Sequence, residues 1–151
     1  MIDRFEGSHF YLSNFFTSPL TRDGETYDTV EHAFQAAKTF DAAERARVRD
    51  AATPAIAKRL GRQVTLRADW EKVKLGVMED LLRAKFSDPE LREALRATGG
   101  EELVEGNTWN DRFWGVCRGR GQNHLGRLLM KIRAEILAAE RETGRGMSER
   151  P

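Results

Sequence analysis

Apolar positions recur at helical spacing along much of the chain, and in residues 29–38 a row of polar side chains accompanies them. At 3.6 residues per turn one face of this stretch is apolar and is formed by Val30, Ala33, Phe34 and Ala37. The neighbouring face carries Glu31, Gln35 and Lys38, each one turn from the next. A carboxylate, an amide and an ammonium beside an apolar core are typical of a site, and equally of a polar surface. The pattern therefore predicts a helix and leaves its function open.

Glu31 also has a purely structural interpretation. If Asp28 is the N-cap, Glu31 is the third helical residue and reaches back to the N–H of the cap, as in a capping box. Acidic residues in a first turn also interact favourably with the helix dipole. Spacing alone favours this interpretation, so a catalytic role for Glu31 needs a second, independent signal.

Start and stop signals divide the rest of the chain into further elements. Capping residues, prolines at the first helical position and closing glycines predict helices that begin after Asp41, Thr53, Asp69, Asp88 and Asn123. Asp23-Gly24 predicts a hairpin of two short strands around residues 18–28. Leu103-Val104-Glu105 is interpreted as a short strand. The aromatic-rich residues 4–17 fit either a strand with a turn or an irregular segment laid across the core.

Composition limits the organisation and the partners of the chain. Its 151 residues predict one domain over residues 1–141, followed by a tail, 142–151, that has nothing to bury and is expected to be disordered. A formal charge of +1 argues against bulk attraction to nucleic acid or an anionic membrane. The single Cys117 excludes an internal disulfide and fits a reducing, cytoplasmic setting. The sequence lacks an apolar run of the kind that predicts a signal peptide or a membrane span.

A second signal for a site comes from residues 109–116. Trp109, Phe113 and Trp114 flank the carboxylate of Asp111 and the amide of Asn110 in an irregular, glycine-bounded segment. Loops with this content carry binding and catalysis more often than they carry structure. Asp111 has the alternative role of holding a turn, and Trp114 that of a core residue. The composition of the segment nevertheless favours a binding or catalytic loop.

The next stretch, residues 118–126, runs into a helix start and suits an anion. Glycines such as Gly121 let backbone N–H groups approach an anion, and a helix N-terminus adds a favourable dipole. Arg118, Arg120 and Arg127 are candidate partners for phosphate, and the helix begins after Asn123. The alternative is a glycine-rich turn before a helix. Neither a Walker loop nor a dinucleotide fingerprint occurs here.

The residue types present exclude a zinc site and a serine nucleophile elbow. One cysteine and three scattered histidines cannot form the usual zinc spacings, and the chain has no G-x-S-x-G elbow. Carboxylates, indoles, amides and a phosphate-friendly turn remain. This set suits cleavage of a bond between a sugar and a base, where a carboxylate stabilises an oxocarbenium-like transition state and indole faces stack on the base.

The chain resembles the NADAR family (NAD- and ADP-ribose-associated) over roughly residues 5–137. The matching pieces are short, and their joint order and spacing make the resemblance specific. They comprise residues 10–15, Gly24, Tyr27, residues 31–36, Lys38, Thr53-Pro54, Ala57-Lys58, Gly61-Arg62, Asp69-Trp70, Met78, Lys85-Phe86, Glu105, Asn110-Asp111, Trp114-Gly115, Gly121, Asn123, Leu125-Gly126 and Leu129-Met130.

The resemblance implies a predominantly helical α+β domain with a few short strands that hydrolyses N-glycosidic bonds without a cofactor or metal. The implied substrates are phosphorylated ribosylamino intermediates of the riboflavin pathway, or ADP-ribose attached to guanine in DNA. It places the catalytic acids at Glu31 and Asp111. The expected substrate-binding residues are Trp70, Trp114, Asn14, Gln35, Lys38, Asn110, Arg118, Gly121 and Asn123.

Two other function classes remain open at this point. The same pocket would serve a non-catalytic ADP-ribose or NAD-binding module, and the arginines of residues 118–127 would serve a nucleic-acid adaptor. Residues 106–109 depart from the family pattern, and Trp109 adds a ring beside the expected pocket. This difference bears on which base or sugar phosphate the chain accepts.

Overall fold

The computed structural model describes residues 1–148, and within them helices predominate. A 3₁₀ helix, Gly7–Leu12, precedes six α-helices, which are α1 (Val30–Ala36), α2 (Ala42–Arg49), α3 (Pro54–Gly61), α4 (Trp70–Lys85), α5 (Pro89–Ala97) and α6 (His124–Ser148). Four short strands accompany them, namely β1 (Leu20–Arg22), β2 (Glu25–Tyr27), β3 (Gly106–Asn107) and β4 (Val116–Cys117). The predicted α+β, predominantly helical fold class is confirmed.

The chain divides into two compact units. One comprises residues 10–85 and contains β1, β2 and α1 to α4. The other comprises residues 1–9 together with 86–148 and contains β3, β4, α5 and α6. One domain over residues 1–141 stays a prediction.

Helix α1 forms the centre of the 10–85 unit. It packs against α2, α3 and α4, and each of its seven residues is buried, including Glu31, His32 and Gln35. Among the described residues of this unit, the apolar core around α1 includes Leu12, Val48, Ala57, Trp70, Met78, Leu81 and Leu82. Because α1 is covered on several sides, its polar row is enclosed by the fold and is no ordinary solvated surface.

Most of the predicted helix starts are confirmed by their capping hydrogen bonds. Thr53, Asp88 and Asp41 accept from the backbone N–H of the third residue that follows them, at 3.2, 3.0 and 2.8 Å. The N-cap of α1 is Thr29, whose hydroxyl accepts from the His32 N–H at 3.1 Å. The capping box built on Asp28 is therefore wrong, and Glu31 is the second residue of the helix.

Two predicted caps use their side chains elsewhere. The Asp69 carboxylate accepts two hydrogen bonds from the Arg67 guanidinium, at 2.6 and 2.9 Å, just before α4. Asn123 precedes α6 with φ +52°, and its amide bonds the Glu105 N–H and the Leu103 carbonyl. Local spacing identified both helix starts and assigned the wrong partner to each side chain.

The hairpin is confirmed and the strand predicted over residues 103–105 is wrong. β1 and β2 pair antiparallel through Asp23 and Gly24, whose φ values of +50° and +80° suit a type I′ turn. Leu103 forms only an isolated bridge to Ile2, and pairing passes to β4 at Gly106, where β3 begins. The change of partner limits each ladder to one or two residues.

The N-terminal and C-terminal segments settle two further expectations. Residues 4–17 contain a 3₁₀ helix, so the irregular alternative is closer than the strand. Residues 142–148 of the predicted disordered tail continue α6, and the Thr143 hydroxyl donates to the Ala139 carbonyl at 3.0 Å. Residues 149–151 lie outside the described part of the chain.

Candidate active site

The Glu31 carboxylate lies in the interior of the 10–85 unit, with 7% of the residue exposed. Gln35, one turn later, donates from Nε2 to Glu31 Oε1 at 2.8 Å. The Glu31 backbone N–H donates to the Asn14 carbonyl at 3.1 Å. Burying a carboxylate is costly unless hydrogen bonds compensate, so the Gln35 amide offsets part of the cost of holding the Glu31 carboxylate in the interior.

Gln35 is fixed in turn by the backbone of α3. A Cβ atom placed on Gly61 would lie 2.0 Å from Gln35 Oε1, so only glycine allows the amide to lie where it does. Gln35 is 5% exposed, and Gln35 Oε1 accepts no hydrogen bond from the described residues. The predicted pair of Glu31 and Gln35 is thus brought together, and α3 sets the position of the amide.

Asn14 presents an unused acceptor beside this pair. Its backbone carbonyl binds Glu31, and its side-chain Nδ2 lies 3.6 Å from the Met78 sulfur. Its Oδ1 is buried and has no hydrogen-bond partner among the described residues. An orphaned buried acceptor is uncommon in native proteins, so Asn14 is suited to receive a hydroxyl of a ligand.

Lys38 follows α1 and is half-buried. Burial lowers the pKa of the Lys38 ammonium, and the Glu31 carboxylate opposes that effect. Within the predicted row, Glu31 thus interacts electrostatically with Lys38 and accepts a hydrogen bond from Gln35.

Trp70 is core and presents little surface. It is the first residue of α4, it is 5% exposed, and its ring lies 5.0 Å from the Phe34 ring at a tilt of 54°. The indole therefore supports the apolar face of α1, on the helix that carries Glu31. Its assignment as a substrate-binding residue stays a prediction.

Lys85 is the residue that the sequence analysis missed. It continues the buried stripe of α4 after Met78, Leu81 and Leu82, and its Nζ donates to the Ser13 carbonyl at 2.8 Å. Burial lowers the pKa of Lys85 to about 7. A lysine at helical spacing within an apolar stripe was the available signal. A partly neutral amine that is hydrogen-bonded to Ser13, the residue before Asn14, is chemically competent as a base or nucleophile.

Asp111 lies in the second unit, where it organises the loop that contains it. Its Oδ1 accepts from the Phe113 and Trp114 N–H groups at 3.1 and 2.9 Å, and its own N–H donates to Asn107 Oδ1 at 3.0 Å. The preceding Asn110 is exposed and left-handed, with φ +64°. The turn-holding interpretation of Asp111 is therefore confirmed. Its pairing with Glu31 stays a prediction.

Trp114 belongs to an aromatic cluster at the start of α6. The Phe113 ring contacts the Trp114 ring at 4.8 Å and the His124 ring at 4.5 Å, and His124 Nε2 lies 2.6 Å from Gln122 Oε1. Trp114 is half-buried, so part of its indole is accessible. The geometry is compatible with both interpretations of Trp114, as a core residue and as a residue that lines a substrate-binding site.

Gly121 and Asn123 have structural roles that account for their identities. A Cβ on Gly121 would lie 2.1 Å from the Gly115 carbonyl oxygen, and the Asn123 amide is committed to two backbone groups of residues 103–105. Arg118 is exposed at φ +51°, in the tight turn closed by Cys117 and Arg120. Of these three predicted ligand-binding residues, Arg118 presents its side chain to solvent.

Among the residues that the structure describes, no three His, Cys, Asp or Glu side chains are grouped so as to hold a metal ion. No helix in the same part of the chain is long and apolar enough to cross a bilayer.

Known proteins are similar to this chain in both sequence and structure. The model of one family, described as the NADAR domain, matches residues 3–137. N-glycosidase YbiA of Escherichia coli (strain K12) is 47% identical over 129 residues, which cover 83% of this chain and 80% of that protein. The NMR structure of E. coli YbiA has a TM-score of 0.80 at 41% identity and covers 93% and 89% of the two chains. The chloroplastic riboflavin biosynthesis protein PYRR of Zea mays is 42% identical over 127 residues, 74% of this chain and 20% of that protein.

Proposed function

This chain belongs to the NADAR domain family, and we propose that it is an N-glycosidase that hydrolyses the bond between a pyrimidine base and a phosphorylated ribose. The name of the maize relative favours ribosylamino intermediates of riboflavin biosynthesis as the substrate class. The observation that carries the proposal is the buried Glu31 carboxylate, held by Gln35 at 2.8 Å in a chain 47% identical to an N-glycosidase.

Glu31 is suited to the charge that develops in this reaction. When the bond between ribose C1′ and the base nitrogen breaks, its electron pair leaves with the base and positive charge grows on C1′ and the ring oxygen. A carboxylate fixed in a poorly solvated interior stabilises that charge more strongly than one in water. We assign this role to Glu31, with Gln35 as the residue that positions it.

The reaction also needs a second acidic residue, which transfers protons between the attacking water and the departing base. Water forms the new bond to C1′ and loses a proton, while the departing nitrogen gains one. Asp111 is assigned to this proton transfer, which is a proposal about a residue of the other unit. The accessible Asn110 and Trp114 in the same loop are assigned to the base.

The remaining groups bind the ribosyl phosphate. The unused Asn14 Oδ1 is suited to accept a hydrogen bond from a ribose hydroxyl, and Lys38 supplies positive charge beside Glu31. Lys85 holds the Ser13 carbonyl next to Asn14 and thereby positions that acceptor. Arg118 stands as a second candidate for phosphate contact.

The direct test is release of free base, measured by chromatography, from a ribosylamino-pyrimidine phosphate and from ADP-ribosylated guanosine DNA. We expect turnover of the first substrate and a loss of ~100-fold or more in kcat for Glu31→Gln, the range found when one electrostatic group of a catalytic site is removed. Asp80→Asn, an exposed carboxylate on α4, is the matched control and should retain full activity.

Two outcomes contradict the proposal. Full activity of folded Glu31→Gln protein would remove its catalytic residue. Tight calorimetric binding of ADP-ribose without turnover of either substrate would identify a binding module instead.

A further inference from the structure

The Phe40 ring is exposed on a segment that the fold holds in place. Phe40 lies in the connection between α1 and α2, and 67% of the residue is exposed. The preceding Thr39 is fully buried, and its hydroxyl donates to Glu44 Oε2 at 2.7 Å and accepts from the Asp41 N–H at 3.1 Å. A single exposed apolar residue is ordinary on a protein surface. Here the backbone on both sides of the ring is fixed, so the ring is presented to solvent in a defined position.

A second connection, between α3 and α4, is tied to the same segment. The Glu44 carboxylate also accepts from the backbone N–H and the hydroxyl of Thr65, at 2.8 and 2.9 Å. Two residues later the Arg67 N–H donates to the Lys38 carbonyl at 2.8 Å. The connections that carry Phe40 and Arg67 are therefore joined at two points, one through a side chain and one through the backbone.

The Arg67 guanidinium covers one face of the Phe40 ring. Its Cζ lies 4.2 Å from the ring centroid, within the range of a cation–π contact. Two hydrogen bonds to the Asp69 carboxylate, at 2.6 and 2.9 Å, fix the plane of the guanidinium. Because most of Phe40 is still exposed, the opposite face of the ring is open to solvent. The ring is thus a fixed aromatic surface, covered on one side and open on the other.

Arg45 supplies a second guanidinium beside the ring. Its Cζ lies 5.9 Å from the Phe40 centroid, and its Nε donates to the Thr39 carbonyl at 2.5 Å. Arg67 pairs with Asp69, whereas Arg45 forms no ion pair with any residue in 1–148, the part of the chain that the structure describes. The Arg45 Nη groups are therefore suited to an anion that lies next to the open face of Phe40.

We propose that Phe40, Arg45 and Arg67 form a second ligand site, which binds a free nucleoside 5′-monophosphate. The base stacks on the open face of Phe40, and the Arg45 guanidinium binds the phosphate through charge-assisted hydrogen bonds. Stacking on a phenyl ring reads no hydrogen-bonding edge, so the site tolerates different bases. A formal charge of only +1 on the chain favours a free nucleotide over a nucleic-acid strand. The site lies beyond the end of α1 and goes beyond the proposed N-glycosidase function.

Calorimetry with AMP and adenosine separates the contribution of the base from that of the phosphate. We expect AMP to bind the wild type and adenosine to bind ~10-fold or more weakly, the effect of one charge-assisted hydrogen bond. Phe40→Ala should reduce the affinity for AMP ~10-fold or more, and Phe40→Tyr, which keeps a stacking ring, should retain it. Arg45→Gln should lower the affinity for AMP to that for adenosine.

Matched controls remove similar side chains from other exposed positions of the same unit. Arg59→Gln on α3 and Leu75→Ala on α4 remove an exposed guanidinium and an exposed apolar side chain, and both should bind AMP as the wild type does. An oligodeoxyadenylate of four nucleotides should bind no more tightly than AMP. Much tighter binding of the oligonucleotide, with a steep dependence on salt, would overturn the assignment to a free nucleotide.

Two further outcomes would overturn the site, and both differ from failure of the proposed function. Wild-type affinity for AMP in folded Phe40→Ala and Arg45→Gln proteins would show that AMP does not bind at Phe40. We expect Phe40→Ala to release base from the ribosylamino-pyrimidine phosphate at the wild-type rate, and a parallel fall in base release would place Phe40 in the glycosidase site. If the wild type releases no base, AMP binding that Phe40→Ala abolishes would still support the nucleotide site.

Discussion

Gln35 donates a hydrogen bond to Glu31 across one turn of α1, in the interior of the 10–85 unit. Neither residue contacts bulk water extensively, and each is positioned by a different element, Glu31 by the Asn14 carbonyl and Gln35 by Gly61. The geometry of the pair therefore depends on two neighbouring segments. Mutations can test each of these two supports separately.

Gln35→Met tests the positioning of Glu31. The substitution keeps the volume and removes the donor, so the Glu31 carboxylate loses its hydrogen bond at 2.8 Å and its preferred orientation. We expect kcat for base release to fall ~10- to 100-fold with little change in KM. Gln63→Met, an exposed glutamine after α3, is the control. Unchanged kcat would show that Glu31 needs no support from Gln35.

Gly61→Ala tests the other end of the same chain of contacts. The new methyl group would lie 2.0 Å from Gln35 Oε1, so the amide must move and α3 must shift away from α1. We expect a loss of about 1–3 kcal/mol in the free energy of unfolding, measured by urea denaturation, and reduced base release.

The helix α4 offers a matched control for Gly61. A Cβ on Gly76 meets nothing within 4 Å, so Gly76→Ala should stabilise the protein by about 0.5–1 kcal/mol. Combining Gly61→Ala with Gln35→Ala should recover part of the loss, because the two closest atoms, Gln35 Oε1 and Cδ, are gone. Additive losses in the double variant would contradict the contact.

Lys85→Met tests the buried amine. The folded-state pKa of about 7 lies below the ordinary 10.5, so the unfolded chain binds more protons between these values and folding stability rises with pH across that window. We expect the stability of the wild type, relative to Lys85→Met, to rise by about 2 kcal/mol from pH 7 to pH 9. Urea denaturation at both pH values measures it.

The comparison with Lys85→Met cancels the titration of other groups. Lys72→Met, which removes an exposed lysine of the same helix, should show the pH dependence of the wild type. Equal pH dependence of Lys85→Met and wild type would mean that Lys85 is charged in the folded protein at neutral pH.

The sequence predicted those elements correctly whose structure depends on contacts between residues close together in the chain. Thr53-Pro54 begins α3 and Asp23-Gly24 forms a type I′ turn because each depends on neighbours within four residues. The apolar face of residues 29–38 predicted α1 for the same reason. The choice of Glu31 and Gln35 as partners also follows from helix geometry alone.

The sequence pattern could not identify contacts between residues that are distant along the chain. Asn123 had the spacing of an N-cap, and only the fold brings Leu103 and Glu105 to its amide. Lys85 ends α4, and only the fold brings its ammonium to the carbonyl of Ser13, 72 residues earlier. The strand at 103–105 was wrong because its pairing partner changes along it. Such contacts depend on the whole fold.

Asp111 is the residue where structure and catalysis can be separated most cleanly. Its Oδ1 accepts from the N–H groups of Phe113 and Trp114, which an asparagine side chain can also do and an alanine cannot. We expect Asp111→Ala to lose about 1–2 kcal/mol of unfolding free energy, as for a lost cap, and Asp111→Asn to lose much less. Both variants should lose base release, because both remove the acid. An active Asp111→Asn protein would limit Asp111 to holding the loop, and leave the proton transfer to another group.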